Sequence, residues 1–302
     1  MDGVMRSQGM DRWERFGLGL LFLFTLSALG GYWAFALHPE WLPQDPFALR
    51  FYSSSFRFFA QLQIIVAATA LLIPLGRRMG RAWVPAFSAV FLVSFLSEYM
   101  GTGYGIPFGG YHYTALLGIK LGGRVPFLIP LSWFLMTVPS YVLARHALGN
   151  RPAWLVLSMA SLLLVIWDLA LDPAMSALTP YWVWEESGPY YGMPWMNLFG
   201  WFVTGLALMA LVHRLGGDSF TKAMDVGLAR WLYAGILLMP LGMVVAASEW
   251  LAVAATLLAL AGWGALARAL AAESDSPGHA MEGTVPPLAT DPDVPEPVTL
   301  NA

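Results

Sequence analysis

Eight long apolar stretches restrict the fold of this chain more than any other feature. A transmembrane helix needs about 20 mostly apolar residues, and the few charged positions divide the chain into segments of that size. Only 12% of the residues are charged, against roughly 25% in a soluble domain. The sequence therefore predicts an all-α polytopic membrane helix bundle of about eight transmembrane helices, at residues 16–37, 56–75, 82–99, 125–148, 153–171, 195–213, 231–247 and 250–270.

The Lys and Arg residues predict the orientation of the bundle, because cytoplasmic loops collect positive charge. With the N-terminus inside, 12 of the 16 basic residues fall in cytoplasmic segments. They are Arg6, Arg12, Arg15, Arg77, Arg78, Arg81, Arg145, Arg151, Arg214, Lys222, Arg230 and Arg268. We therefore expect a multi-pass protein of the cell membrane with both termini in the cytoplasm.

Composition divides the chain into three parts. Residues 1–15 form the predicted cytoplasmic N-terminal segment, and residues 16–271 form the integral membrane domain. Residues 272–302 contain six acids, six prolines and no Lys or Arg. Because little apolar surface is available there to offset the ordering entropy, we expect a disordered, acidic, Pro-rich tail.

Several kinds of chemistry are excluded or disfavoured by the residues available. Cysteine is absent, which removes disulfides, zinc–thiolate sites, iron–sulfur clusters and cysteine nucleophiles. No two of the five histidines are spaced i, i+3 or i, i+4, so no metal site is predicted. A dinucleotide fingerprint and a nucleophile elbow are also missing. Few charges and high hydrophobicity exclude a nucleic-acid partner and predict the lipid bilayer instead.

Acidic residues at the ends of the apolar stretches are the strongest candidates for chemistry. All four fall toward the predicted outer side: Glu98, Asp168, Asp172 and Glu249. A charged acid within a span raises the free energy by about 3 kcal/mol or more unless a partner, water or the interface stabilises it. Asp168 and Asp172 are spaced i, i+4 and share one helix face, where two carboxylates resist simultaneous ionisation. One of them is therefore expected to hold a proton and to act as a general acid.

Each of these acids also has a structural explanation. Asp172 precedes a proline and could begin a solvated helix stop, which would leave Asp168 alone to be explained. Glu98 stands at a predicted span end, where it could be interfacial, and Glu249 falls in the shortest connection, where a turn residue is the better interpretation.

Aromatic residues crowd the two longest outer loops, at residues 100–124 and 172–194. Residues 98–113 alone contain five glycines and five Tyr or Phe side chains. A binding surface would explain this density, and so would the aromatic belt of a membrane interface. His112 fits either an acid–base role or a hydrogen-bonded structural one. The candidate binding residues are Tyr111, His112, Tyr113, Trp182, Trp184 and Asn197.

Taken together, these regions resemble the CruF-type carotenoid hydratases, a family of multi-span carotenoid biosynthesis proteins. The resemblance covers the chain from about Glu98 to Trp201. Its motifs are Glu98-x2-Gly101-x3-Gly105-x-Pro107-Phe108-Gly109-x-Tyr111-x-Tyr113, Asp168-x3-Asp172-Pro173, Trp182-x-Trp184, and Tyr190-Tyr191-Gly192-x-Pro194-x2-Asn197-x2-Gly200-Trp201.

This resemblance implies an enzyme, a hydro-lyase that works without a cofactor. Water would add across the terminal carbon–carbon double bond of an acyclic carotenoid end and give a tertiary alcohol. Lycopene, monocyclic carotenes or longer bacterioruberin precursors are the implied substrates. Other carotenoid-pathway enzymes are the implied protein partners.

The candidate residues then acquire roles by hypothesis. Asp168 or Asp172 would protonate the alkene, and Glu98 would hold the water and accept its proton. Aromatic rings stabilise cations through their quadrupoles, a role for Trp182, Trp184 and Tyr111. His112, Tyr113 and Asn197 would complete the substrate-binding surface.

Two alternative functions remain open at this stage. A carotenoid or isoprenoid cyclase would use the same acid and cation chemistry but exclude water. A proton-coupled small-molecule transporter would use Glu98, Asp168 and Asp172 as a proton relay, although it predicts two symmetrically interrupted halves that the sequence does not display. A purely structural membrane scaffold is a third alternative, against which the clustering of acids on one side argues.

Overall fold

The computed structural model describes residues 9–274, and nearly all of the predicted tail at residues 272–302 lies outside them. Within this part of the chain, eight helices are long and apolar enough to cross a membrane, which confirms the predicted helix bundle. They are α1 (Arg12–Gly31), α2 (Pro46–Met79), α3 (Val84–Tyr104), α4 (Leu128–Leu148), α5 (Ala153–Asp172), α6 (Trp195–Ala223), α7 (Val226–Ala246) and α8 (Trp250–Ser274).

Most helices run beyond the predicted spans, and two of these differences matter for the site. α2 begins at Pro46 rather than at residue 56, because Asp45 accepts hydrogen bonds from two backbone N–H groups of the first turn, both at 3.0 Å. α3 ends at Tyr104 rather than at residue 99, where Gly105 takes a left-handed conformation with φ of 72°. The first long loop is therefore shorter than predicted.

α4 lies at the centre of the bundle and packs against α2, α3, α5, α6, α7 and α8. Within its most apolar window 72% of the residues are buried, against 17% for α8. α8 instead exposes large apolar side chains, as α1 does, and lipid would cover them because acyl chains are as apolar as leucine. The structure therefore has a protein-lined centre and a lipid-facing rim.

Two short strand pairs lie in the long aromatic loops at one end of the bundle, and the first of them joins one loop to the other. β1 (Tyr111–Tyr113) pairs antiparallel with β4 (Trp182–Trp184), and β2 (Lys120–Leu121) pairs with β3 (Val125–Pro126). In the first pair, Tyr111 lies opposite Trp184 and Tyr113 opposite Trp182. This pairing places four aromatic rings together above the helix ends that carry the acids.

Candidate active site

Glu98 lies near the end of α3 and is buried, with 3% of its surface exposed. Its Oε2 accepts hydrogen bonds from the hydroxyls of Tyr111 and of Tyr113, the second at 2.8 Å. Its Oε1 accepts one from Nε1 of Trp133 on α4 at 2.8 Å. α3 continues past this residue to Tyr104, and Glu98 is enclosed by protein rather than exposed at the end of the helix.

The two tyrosines reach Glu98 because side chains alternate along a strand. Tyr111 and Tyr113 are buried on the inner face of β1, and His112 is exposed between them. Burial raises the pKa of both phenols well above the ordinary value, and the neighbouring charge of Glu98 raises it further. Both hydroxyls therefore remain neutral hydrogen-bond donors at physiological pH.

Asp172 ends α5 and is also buried, with 1% of its surface exposed. Its Oδ1 accepts hydrogen bonds from the indole N–H groups of Trp182 at 2.8 Å and of Trp184 at 3.1 Å. Ser176 donates to its Oδ2 at 3.3 Å. The alternative of a solvated Asp-Pro helix stop is therefore wrong for this residue.

Pro173 does not end the helix but diverts it. The chain continues from α5 as a π-helical segment, Pro173–Leu178. Because proline has no backbone N–H, it cannot bond the carbonyl four residues earlier. The hydroxyl of Tyr190 donates to that carbonyl, on Leu169, at 2.6 Å. Tyr190 thus stabilises the backbone that carries both aspartates.

Asp168 differs from the other two carboxylates in having one oxygen without a partner. The residue is buried, with 1% of its surface exposed, and its Oδ2 accepts a hydrogen bond from Nδ2 of Asn197 at 2.7 Å. Within residues 9–274, its Oδ1 has no hydrogen-bond partner, and neither does Nε1 of the adjacent Trp167. Buried polar groups in this state are rare, so this oxygen is available to a substrate or to water.

All three carboxylates line one small cavity of about 40 Å³. Eight of the nine residues predicted for the site line it, and most of the other lining residues are aromatic. The lining residues are Glu98, Phe108, Tyr111, Tyr113, Ile129, Ser132, Trp133, Trp167, Asp168, Leu171, Asp172, Trp182, Trp184, Asn197 and Trp201. Acid groups, an amide and aromatic side chains therefore meet around one small cavity.

His112 is the predicted site residue that the structure places outside the cavity. Its side chain is 60% exposed, and its Nδ1 lies 3.6 Å from Oε1 of Glu185 on the loop that follows β4. Glu249 also lies apart from the cavity, in the tight turn between α7 and α8 where Ser248 has a φ of 61°. Its interpretation as a turn residue agrees with this position.

Three tryptophans of the wall were not among the predicted site residues. Trp133 stacks on Trp201 with ring centroids 4.2 Å apart, and Trp167 meets Trp201 edge-on at 5.6 Å. Trp201 closes the last motif in the sequence, so its position was a usable signal. Trp133 and Trp167 lie inside apolar spans, where nothing in the sequence distinguishes them from ordinary core residues.

Two motif glycines allow the loop after α3 to pack against the helices. A Cβ at Gly200 on α6 would lie 2.6 Å from the carbonyl oxygen of Pro107 and 2.7 Å from the ring of Phe108. A Cβ at Gly101 would lie 2.8 Å from the opposite edge of that ring. These separations are too short for real side chains, so glycine at both positions lets Phe108 form the floor of the cavity.

The arrangement offers acid–base groups rather than a set of metal ligands. In the part of the chain that the structure describes, no three His, Cys, Asp or Glu side chains are placed to share a metal ion. The donors around the carboxylates are phenol hydroxyls, indole N–H groups, the hydroxyl of Ser176 and an amide, all neutral.

Comparisons with known proteins identify the family of the chain. The sequence profile of a family described as carotenoid biosynthesis protein matches residues 59–263, more than half of the chain. A protein named bisanhydrobacterioruberin hydratase, from Haloarcula japonica, is 35% identical over 183 residues. That alignment covers 59% of this chain and 59% of the relative. No solved structure matches. The profile match and this relative together show that the chain belongs to the CruF-type family of carotenoid biosynthesis proteins that its motifs resemble.

Proposed function

We propose that this protein is a carotenoid hydratase, which adds water to the terminal double bond of an acyclic carotenoid end. The observation that carries the proposal is the unpartnered Oδ1 of Asp168 in a cavity walled by aromatic rings. Protonating an alkene requires an acid that can reach the carbon, and the cation that forms requires polarisable, non-nucleophilic surroundings. The family membership and the name of the Haloarcula relative support the same chemistry.

The first step of this mechanism is proton transfer from Asp168. Its Oδ1 gives a proton to the less substituted alkene carbon, and the positive charge develops on the adjacent tertiary carbon. Trp182, Trp184 and Tyr111 line the cavity, and a cation over a desolvated ring gains about 2 kcal/mol. The carboxylate left on Asp168 adds electrostatic stabilisation at short range.

The second step is capture of the cation by water. A carboxylate has about four lone-pair sites, and Oε1 of Glu98 accepts one protein hydrogen bond, from Trp133. The remaining site can hold the attacking water and take its proton as the carbon–oxygen bond forms. Tyr111 and Tyr113, bonded to Oε2, fix the orientation of this carboxylate. Return of the proton to Asp168 completes the cycle.

The test is the pigment profile of a lycopene-producing strain that expresses this chain. The expected product is heavier than lycopene by one water for each modified end. The Asp168→Asn variant should lose it, and Asp218→Asn, the same change at an exposed position far along α6, should keep it. A cyclic product with the mass of lycopene would indicate a cyclase instead, and unchanged yield from Asp168→Asn would contradict the mechanism.

We also propose that the acid end of the bundle faces away from the cytoplasm, because most basic residues lie at the other end. The natural chain has no cysteine, so single cysteines can be labelled without background. In intact cells, a membrane-impermeant maleimide should label Ile119→Cys, which is 83% exposed at the acid end. It should label Asn150→Cys, exposed in the α4–α5 connection, only after permeabilisation. The reverse pattern would overturn the orientation.

A further inference from the structure

Two more cavities lie beside the candidate active site, and the farther one is lined in part by the first turns of α2 and the connection before it. The middle cavity, of about 90 Å³, is lined by Ala60, Gln63, Ile64, Ala67, Leu117, Ile129, Ser132, Leu135, Trp167, Leu171, Met175, Tyr181, Trp182, Ile236, Met239 and Pro240. The distal cavity, of about 290 Å³, is lined by Ala28, Gly31, Tyr32, Phe35, Leu42, Pro43, Ala48, Phe51, Tyr52, Ser55, Phe56, Phe59, Tyr181, Met239 and Met243. Neither wall contains a charged residue.

The three cavities lie in a row, and each shares lining residues with the next. The acid-lined cavity and the middle cavity have five lining residues in common, among them Trp167 and Trp182. The middle and distal cavities share Tyr181 and Met239. Tyr181 and Trp182 are neighbours in the chain, so one short segment borders the whole series. Nε1 of Trp182 also donates to Asp172, which ties this segment to the acids.

One face of α2 runs along both apolar cavities. Its lining positions recur every three or four residues, as the residues of a single helix face do. They are Ala48, Phe51, Tyr52, Ser55, Phe56, Phe59, Ala60, Gln63, Ile64 and Ala67. At 1.5 Å per residue this face is roughly 28 Å long, which is comparable with the hydrocarbon thickness of a bilayer. The space beside it suits a long, thin molecule.

Several polar groups along this path are hydrogen-bonded within the protein, whereas Nε1 of Trp167 on the wall of the middle cavity has no partner among the described residues. Gln63 and Thr25 exchange hydrogen bonds of 2.9 and 3.0 Å between their side chains. The hydroxyl of Tyr181 donates to the carbonyl of Phe56 at 2.9 Å, and that of Ser55 to the carbonyl of Tyr52 at 2.6 Å. The hydrogen-bonded groups need no polar ligand, so their part of the path fits a hydrocarbon.

We propose that the three cavities form one channel that holds an acyclic carotenoid lengthwise, with its terminal alkene at Asp168 and its far end in the distal cavity beside α2. This inference rests on the proposed function and adds the place of the polyene and of its distant end. It follows that only one end can react in each binding event. A substrate with two reactive ends must leave and return reversed, so the singly hydrated product accumulates first.

The channel can be tested with two neighbouring serines on α2. Ser55 lines the distal cavity, and Ser54 is exposed on another face of the helix. Ser55→Trp should fill the cavity and weaken lycopene binding by about tenfold, a change of about 1.4 kcal/mol, while Ser54→Trp should bind as the parent does. Binding is measured as lycopene absorbance per purified protein in an Asp168→Asn background, so that no turnover is needed.

A second matched pair covers the case in which Ser55→Trp does not fold. Ala48→Trp fills the same cavity from the first turn of α2, and Leu49→Trp adds the same ring at a position that is 40% exposed. Equal lycopene retention within each folded pair would overturn the channel, even if the parent hydrates carotenoids. Selective loss in the cavity variants would support it, even if no hydrated product is ever found.

Discussion

The two ends of the helix bundle differ in the partners of their buried acids, which are a cation at one end and neutral donors at the other. At the end near the N-terminus, the fully buried side chain of Glu14 is paired with Arg78 at 2.7 Å, and Arg78 also donates to the carbonyl of Ala223 at 2.8 Å. At the acid end, three buried carboxylates are bonded only to neutral donors. None of the ion pairs found among residues 9–274 involves them.

This difference separates a structural acid from acids that can take part in chemistry. Glu14 and Arg78 form an ion pair that, with the bond from Arg78 to Ala223, joins α1, α2 and the end of α6. A carboxylate held by neutral hydroxyl, indole and amide groups can gain or lose a proton without leaving a buried cation unpaired. The acid end is therefore suited to proton transfer, and the other end to holding the helices together.

The largest expected effect is on Asp168, the acid with a free oxygen. Asp168→Asn should lower the hydration rate by about 10²–10⁴-fold, the usual contribution of a general acid, because an amide cannot supply the proton. Asp172→Asn should cost less, since an amide oxygen still accepts from Trp182. Rates are measured on purified protein with lycopene in detergent. Equal losses in the two variants would remove the distinction between the aspartates.

Breaking the ion pair at the opposite end should affect stability rather than chemistry. Arg78→Met leaves Glu14 buried without a cation, which costs about 3–5 kcal/mol, and should lower the thermal unfolding midpoint in detergent. Arg81→Met, at an exposed position, is the matched control. Hydration per folded molecule should be unchanged in both. A loss of rate without a loss of stability in Arg78→Met would contradict the comparison.

Removing one donor from Glu98 should have an intermediate effect. Tyr113→Phe deletes a hydrogen bond of 2.8 Å to a carboxylate, worth about 1.5–3 kcal/mol, and should lower the rate by about tenfold or more. Tyr104→Phe, at a residue that is 70% exposed, should have no effect. If both variants hydrate lycopene at the parent rate, the proposed orientation of Glu98 is wrong.

The same tyrosines predict part of the pH dependence. Burial and the charge of Glu98 raise the pKa of Tyr111 and Tyr113 well above the ordinary value, which is about 10. A phenol is neutral below its pKa, so an upward shift postpones ionisation to higher pH. The rate should therefore show no tyrosine-dependent fall up to about pH 10 in a pH–rate profile. A fall that Tyr113→Phe abolishes would contradict this.

The smallest expected effect is at His112, which follows Tyr111 in sequence but faces the other side of the strand. His112→Ala should hydrate lycopene within about twofold of the parent, since surface substitutions away from special features change free energies by about 0.5 kcal/mol or less. Initial rates measure this. A tenfold loss would place the imidazole in the mechanism and reject the distinction between the two faces of β1.

The sequence predicts the fold and the acids well because both depend on scarce charge. Eight long apolar stretches with few charges leave few alternatives to a membrane bundle, and an acid in such a stretch requires an explanation. Glu98, Asp168 and Asp172 were therefore visible before any coordinates. The spacing of the motifs that contain these acids also indicated the resemblance to one family.

Other features depend on which way a residue faces, and sequence carries little of that information. The aromatic belt of a membrane interface explains Trp182 as well as a cavity wall does. Trp133 and Trp167 look like core residues until the helices are packed. His112 could be separated from its neighbours only once β1 paired with β4 and set the alternation. Past Pro173, the carbonyl of Leu169 accepts from the hydroxyl of Tyr190, which lies 21 residues away in the chain and which the local sequence does not reveal.

The most direct test of the central claim is the origin of the product's oxygen and its dependence on Asp168. Purified protein is incubated with lycopene in heavy-oxygen water, and the product is analysed by mass spectrometry. We predict one heavy oxygen per hydrated end in the parent protein and almost none formed by Asp168→Asn, with Asp218→Asn equal to the parent. Oxygen drawn from air, or the same labelled alcohol at the parent rate from Asp168→Asn, would contradict acid-catalysed hydration at this site.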